Sequence, residues 1–139
     1  MIESGEPKPI LPAARQSRIR RVSRIASEFD FVGHIEYRHV YSRIGGAQYW
    51  TGPSADTDLL VVFAEAFERD ANVDDFSLEA IIAHECGHQK LIRIPELRDI
   101  LDKFPIEPFE EVLASLVGSI LLENSFSMNC TVLGADMPI

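Results

Sequence analysis

AIIAHECGHQK, residues 80–90, sets two of the chain's four histidines four positions apart, with a glutamate directly after the first, inside an otherwise apolar run. On a helix, positions i and i+4 share a face one turn apart, so His84 and His88 can aim two imidazole nitrogens at one point. Neutral imidazole suits Zn²⁺, and a catalytic zinc site takes three protein ligands and keeps a fourth position open. Glu85 lies about 100° around the helix from His84. There it can collect a proton from a metal-activated water without itself being a ligand. An apolar helix holding two imidazoles and a carboxylate with no ion to compensate them would be costly, which weighs against a purely structural reading. This is the HExxH pattern of zinc hydrolases.

A third ligand must come from elsewhere. No histidine follows His88, so the candidates are carboxylates, and Glu110 and Glu111 open a later apolar segment. From Glu111, the positions three, four and seven residues on are Ala114, Ser115 and Gly118, a small-residue face that lets one helix approach another closely. Glu110 aligns instead with Leu113, Ala114 and Val117. Both acids are also favoured at a helix start by the dipole alone. The spacing leaves the two open.

Outward from this stretch, the chain reads as one domain over residues 1–139. Residues 1–12 hold three prolines and are expected to form an extended or mobile arm. A helix is expected from about 13 to 29, with Ile19, Val22, Ile25, Ala26 and Phe29 at helical spacing. Its interspersed arginines, Arg15 to Arg24, then form a solvated face, although they also suit an acidic partner. From His34 to Ile44 the period changes to two, predicting a strand that Gly45 and Gly46 end. AQYW is expected as a short edge strand, TGPSAD as a turn, and LLVVFAEAF as a buried strand whose final part bends away. After an acidic loop, Asp74, Asp75 or Ser77 caps the HExxH helix, which runs to about Ile92. Pro95 opens a helix through about Phe104 and Pro108 another through about Glu123, with an irregular tail beyond.

Composition narrows the function. At 139 residues and 46% hydrophobic, the chain holds one ordinary core. Its apolar runs are too short to cross a bilayer, so no membrane partner is expected. Acids and prolines stand where an export signal needs positive charge and an apolar core, so a cytoplasmic location is expected. Two cysteines are too few for a disulfide framework, and Cys86 is placed to pack as a small apolar residue. A net charge of −9 argues against a nucleic-acid surface. The charge is uneven: residues 1–44 carry eight bases and five acids, a net +3, so the remainder carries −12.

HECGH followed by a glutamate on a later helix resembles the gluzincin branch of zinc peptidases, the thermolysin-like enzymes. The compact layout is more similar to the ImmA/IrrE-like small metallopeptidases. The residues that carry this are GGAQYW at 45–50, LLVVF at 59–63, AHECGH at 83–88 and EVLAS at 111–115. The resemblance implies a zincin-like α+β fold with a small twisted, mainly antiparallel sheet. It implies His84, His88 and Glu111 as zinc ligands and Glu85 as general base of a peptidase. It also implies that AQYW pairs with an extended peptide, and that the substrate is a protein, for instance a DNA-binding repressor. Ser115 stands where many relatives carry Asn or Asp. No Tyr or His follows Glu111, so a transition-state stabiliser has to come from His34, Tyr37, His39, Tyr41 or Tyr49. The rival reading is a zinc-containing regulatory or protein-binding module that cleaves nothing.

Overall fold

The structure is a computed structural model, and it describes residues 6–69, 78–104 and 107–133. Helix α1 (Pro12–Glu28) is followed by strands β1 (His34–Arg38), β2 (Ala47–Trp50) and β3 (Leu59–Phe63), the last preceded by a 3₁₀ turn at Ala55–Thr57. Helices α2 (Ala64–Arg69), α3 (Leu78–Arg93), α4 (Pro95–Lys103) and α5 (Glu107–Leu133) complete the chain. The architecture is α+β, as expected.

The sheet differs from the expectation of mainly antiparallel pairing. It is mixed, in the order β1-β3-β2, with β1 parallel to β3 from His34↔Leu59 to Arg38↔Phe63 and β2 antiparallel to it from Ala47↔Val62 to Trp50↔Leu59. The apolar run LLVVF takes the centre, where both faces are covered, and AQYW is an edge strand. Gly46 O accepts from Phe63 N–H at 2.8 Å, so Gly46, Gln48 and Trp50 face β3. Ala47 and Tyr49 therefore turn their backbone groups to the open edge.

Three element boundaries move. The strand predicted over 34–44 ends at Arg38 because the chain then curls around the Glu65 carboxylate, which accepts from Ser42 N–H (2.6 Å), Ser42 O–H (2.7 Å) and Arg43 N–H (3.1 Å). Arg43 adopts a positive φ of 62° to do so. LLVVFAEAF stops being a strand at Ala64, where the helix formers of AEAFER begin α2. The segment after Glu123, expected to be irregular, continues α5 to Leu133. The first glycine beyond Gly118 in the sequence is Gly134, so nothing breaks the helix earlier. The expected acidic loop, ERDANVDD at 68–75, begins inside α2, which includes Glu68 and Arg69; its remainder and the capping candidates Asp74, Asp75 and Ser77 lie outside the described residues. Within the predicted arm, residues 6–11 form neither helix nor strand, and the Lys8 carbonyl meets His39 Nε2 at 2.6 Å.

The main core gathers Val22, Ile25, Ala26 and Phe29 of the α1 segment with Leu60 and Val62 of β3 and Leu78, Ile82 and Cys86 of α3. The arginines of α1 divide: Arg20 and Arg24 are exposed, as a solvated face requires, whereas Arg18 donates to the Tyr37 hydroxyl at 2.7 Å and lies over the Phe67 ring. A second cluster joins Leu91 of α3, Leu101 of α4 and Ala114 of α5. Only the first half of α3 therefore belongs to the main core.

Between the sheet and α3 lies a polar junction that the sequence reading did not anticipate. Asp58 is 0% exposed, yet its carboxylate accepts five hydrogen bonds. Tyr49 O–H (2.6 Å), Gln89 Nε2 (2.9 Å) and Arg93 Nε (3.1 Å) meet Oδ2, while Gly52 N–H (2.7 Å) and Arg93 NH2 (2.6 Å) meet Oδ1. Its Arg93, Tyr49 and Gln89 partners outweigh the penalty of burial and hold the carboxyl well below the usual carboxylate range.

Candidate metal centre

Glycines bring α3 and α5 together. A Cβ on Gly87, the second variable position of HECGH, would run into the Ala114 carbonyl oxygen, and one on Gly118 would stand 2.9 Å from the Ala83 carbonyl oxygen. The two helices therefore touch backbone to backbone, running in opposite directions, with Ala114 fully buried. This is the small-residue face expected from Glu111 onward. It carries Glu111 to the face of α3 that presents the two histidines, whose ring centroids are 4.9 Å apart.

Glu111 bridges both rings. Its Oε1 is 3.1 Å from His84 Nε2 and its Oε2 is 3.2 Å from His88 Nε2. One donor atom from each of the three residues lies within 4.8 Å of the others, a set able to hold a metal ion. Ligands about 2.0–2.1 Å from a tetrahedral ion lie roughly 3.3 Å from one another, so three donor atoms within 4.8 Å need only a small adjustment to gather on one ion.

The remaining ring nitrogens are held as well. Ser115 Oγ is 3.0 Å from His84 Nδ1, and Glu110 Oε2 is 2.9 Å from His88 Nδ1. In the tautomer that leaves each Nε2 free for a cation, Nδ1–H donates to these oxygens, the outer contact that orients ligating histidines. Serine at 115 thus holds the His84 ring from behind. The choice between adjacent acids resolves into two roles: Glu111 faces both Nε2 atoms, and Glu110 supports one ring from behind. Burial and the neighbouring His88 lower the His84 pKa, which favours the neutral, ligating imidazole.

Glu85 is on the same helix but outside this triad, in the wall of a cleft of about 870 Å³ between β2 and the α3–α5 pair. Burial pushes its carboxyl up to about 7, against the opposing pull of His88 and the Tyr49 backbone amide on the open edge of β2. Cys86 faces the core, where burial pushes its thiol up to about 12. It is a packing residue, as its place on the helix suggested.

Four of the five proposed stabilisers are engaged elsewhere. Tyr37 O–H meets Arg18 (2.7 Å) and His39 Nδ1 (2.6 Å), Tyr41 O–H donates to Glu68 (2.7 Å), and Tyr49 O–H donates to Asp58. Of the five residues, Tyr49 alone lines the cleft among the described residues. Asp58, Gln89 and Arg93 were missed at the sequence level. Their signal was faint: Gln89 and Arg93 share a helix face one step round from His88, and Asp58 is a lone acid before an apolar strand. No helix among the described residues is long and apolar enough to cross a membrane. No family model, curated protein or solved structure matches the chain.

Proposed function

We propose that the protein is a zinc-dependent metallopeptidase of the minimal gluzincin kind. The observation that carries this reading is a divided site: His84, His88 and Glu111 converge on one point, while Glu85 stands beside them uncommitted to the triad. A structural ion needs no such carboxylate, whereas hydrolysis does. A zinc ion in the triad supplies the Lewis acidity that polarises a peptide carbonyl and makes water nucleophilic near neutral pH. Glu85 takes the proton of the attacking water on a carboxylate oxygen and passes it to the leaving amine. Ser115 and Glu110 keep the two rings aimed. The outward backbone groups of Ala47 and the carbonyl of Tyr49 receive an extended substrate along the β2 edge, beside Glu85, which the Tyr49 amide faces. A protein substrate such as a DNA-binding repressor and a cytoplasmic setting accompany this reading through the family resemblance alone.

The engagement of Tyr37, Tyr41 and Tyr49 elsewhere favours a second reading, a zinc-containing regulatory or protein-binding module. Metal content and cleavage separate the possibilities. Plasma mass spectrometry on untagged protein is expected to give about one zinc per chain, and markedly less for Glu111→Ala. Cleavage of a peptide library by the parent, abolished in a zinc-loaded Glu85→Gln variant, supports the peptidase. Zinc without cleavage leaves the module, and a parent that takes up no zinc defeats both.

A further inference from the structure

The two halves of α3 are fastened to the rest of the molecule by different forces. Leu78, Ile82, Ala83 and Cys86, in the first half with His84, belong to the main apolar core. Past Cys86, the half with His88 contributes no described residue to that core, and its buried apolar residue, Leu91, packs towards α4 and α5. What ties this half to the sheet is polar. Gln89, directly after His88, accepts from Val32 N–H at 3.1 Å, donates to Val32 O at 2.6 Å and donates to Asp58. Arg93 grips Asp58 through two nitrogens and Gly52 O at 2.7 Å. Tyr49 reaches the same carboxylate with its hydroxyl while its backbone amide faces Glu85.

We propose that Asp58 is the positioning residue of the metal centre, holding the His88 half of α3 at a fixed rotation and distance from the β2 edge. The inference rests on the reading of His84, His88 and Glu111 as metal ligands. Apolar contact is non-directional and leaves a helix free to slide or roll by fractions of an ångström. Five hydrogen bonds on one buried carboxylate do not, because each is confined in distance and angle. Stability alone is a poor account of such a network, since a buried ion pair is often no more stabilising than well-packed apolar residues. The site, by contrast, requires ligand distances within about 0.2 Å.

The test uses Co²⁺ as the probe, because its visible absorption reports the geometry of its ligands. Asp58→Asn removes the charge and Arg93→Lys keeps a cation but loses the two-pronged grip; Asp56→Asn, an acid on the neighbouring 3₁₀ turn, serves as control. Near-ultraviolet circular dichroism establishes which variants fold. Folded Asp58→Asn and Arg93→Lys proteins are expected to bind Co²⁺ about tenfold or more weakly and to show an altered visible band, while the control matches the parent. A folded variant with the parent's affinity and band overturns the proposal, and Arg93→Lys decides if Asp58→Asn does not fold. A parent with no cobalt band removes the metal reading itself, and this inference with it.

Discussion

Metal-free protein should be strained by the Glu85 carboxylate. Glu85 is largely buried, and burial moves its carboxyl from an ordinary value near 4.5 up to about 7. Each pH unit of such a displacement corresponds to 1.36 kcal/mol, so ionising Glu85 in the folded chain at pH 8 costs about 3 kcal/mol relative to the unfolded chain. A folded pKa above the unfolded one means that the associated stability is fully present below pH 4.5 and is lost as pH rises through 7. Glu85→Gln keeps the shape and removes the charge. In chelator-treated protein, urea unfolding at pH 8 should therefore find the variant more stable than the parent by up to about 3 kcal/mol, with the gap closing towards pH 4.5. Saturating zinc should narrow the gap at pH 8, because a cation beside the carboxylate offsets its lost solvation. The reasoning fails if the variant's advantage is the same at both pH values, or if the variant is the less stable protein at pH 8.

Two further substitutions probe the helix pair. Gly87→Ala sets a methyl group against the Ala114 carbonyl, so α5 must retreat; we expect a loss of about 1–3 kcal/mol in denaturant unfolding and at least tenfold weaker zinc binding in chelator competition. Unchanged zinc affinity in that variant would show that the close approach does not set the Glu111 position. Glu110→Gln retains an oxygen for His88 Nδ1 but not its charge, so zinc affinity should fall by about tenfold, well short of the loss in Glu111→Ala. Equal losses in the two variants would mean that the acids had been assigned the wrong roles.

What could be read along the chain was what local spacing encodes. The i, i+4 histidines, the prolines that open α4 and α5, and the apolar face of α1 are all short-range patterns, and each lies where expected. The choice between Glu110 and Glu111 was not of this kind. Adjacent helix positions differ by about 100°, and which one faces α3 depends on how Gly87 and Gly118 let the backbones meet. The parallel pairing of β1 with β3 was equally hidden, because a period of two marks a strand without naming its partner. The end of α5 was lost for a different reason. Ser, Asn and Thr, weak helix formers, blur the pattern after Glu123, although no glycine or proline interrupts it before Gly134.

The same distinction explains why Asp58 left so little trace. Its partners Gln89 and Arg93 are 31 and 35 residues away, and Tyr49 is 9 residues before it on another strand. No periodicity connects them, and a lone buried acid is indistinguishable in sequence from a solvated one. Yet the chemistry of the site makes such a residue understandable. His84 stands where α3 meets both the main core and the Gly118 contact, so its half of the helix is already confined. His88 stands where that core ends, and Glu110 can orient its ring but not its backbone. A centre with ligands on both halves of one helix needs each half held to a fraction of an ångström. Close glycine contacts meet that requirement on the α5 side, and directional bonds to a buried carboxylate meet it on the side of the sheet.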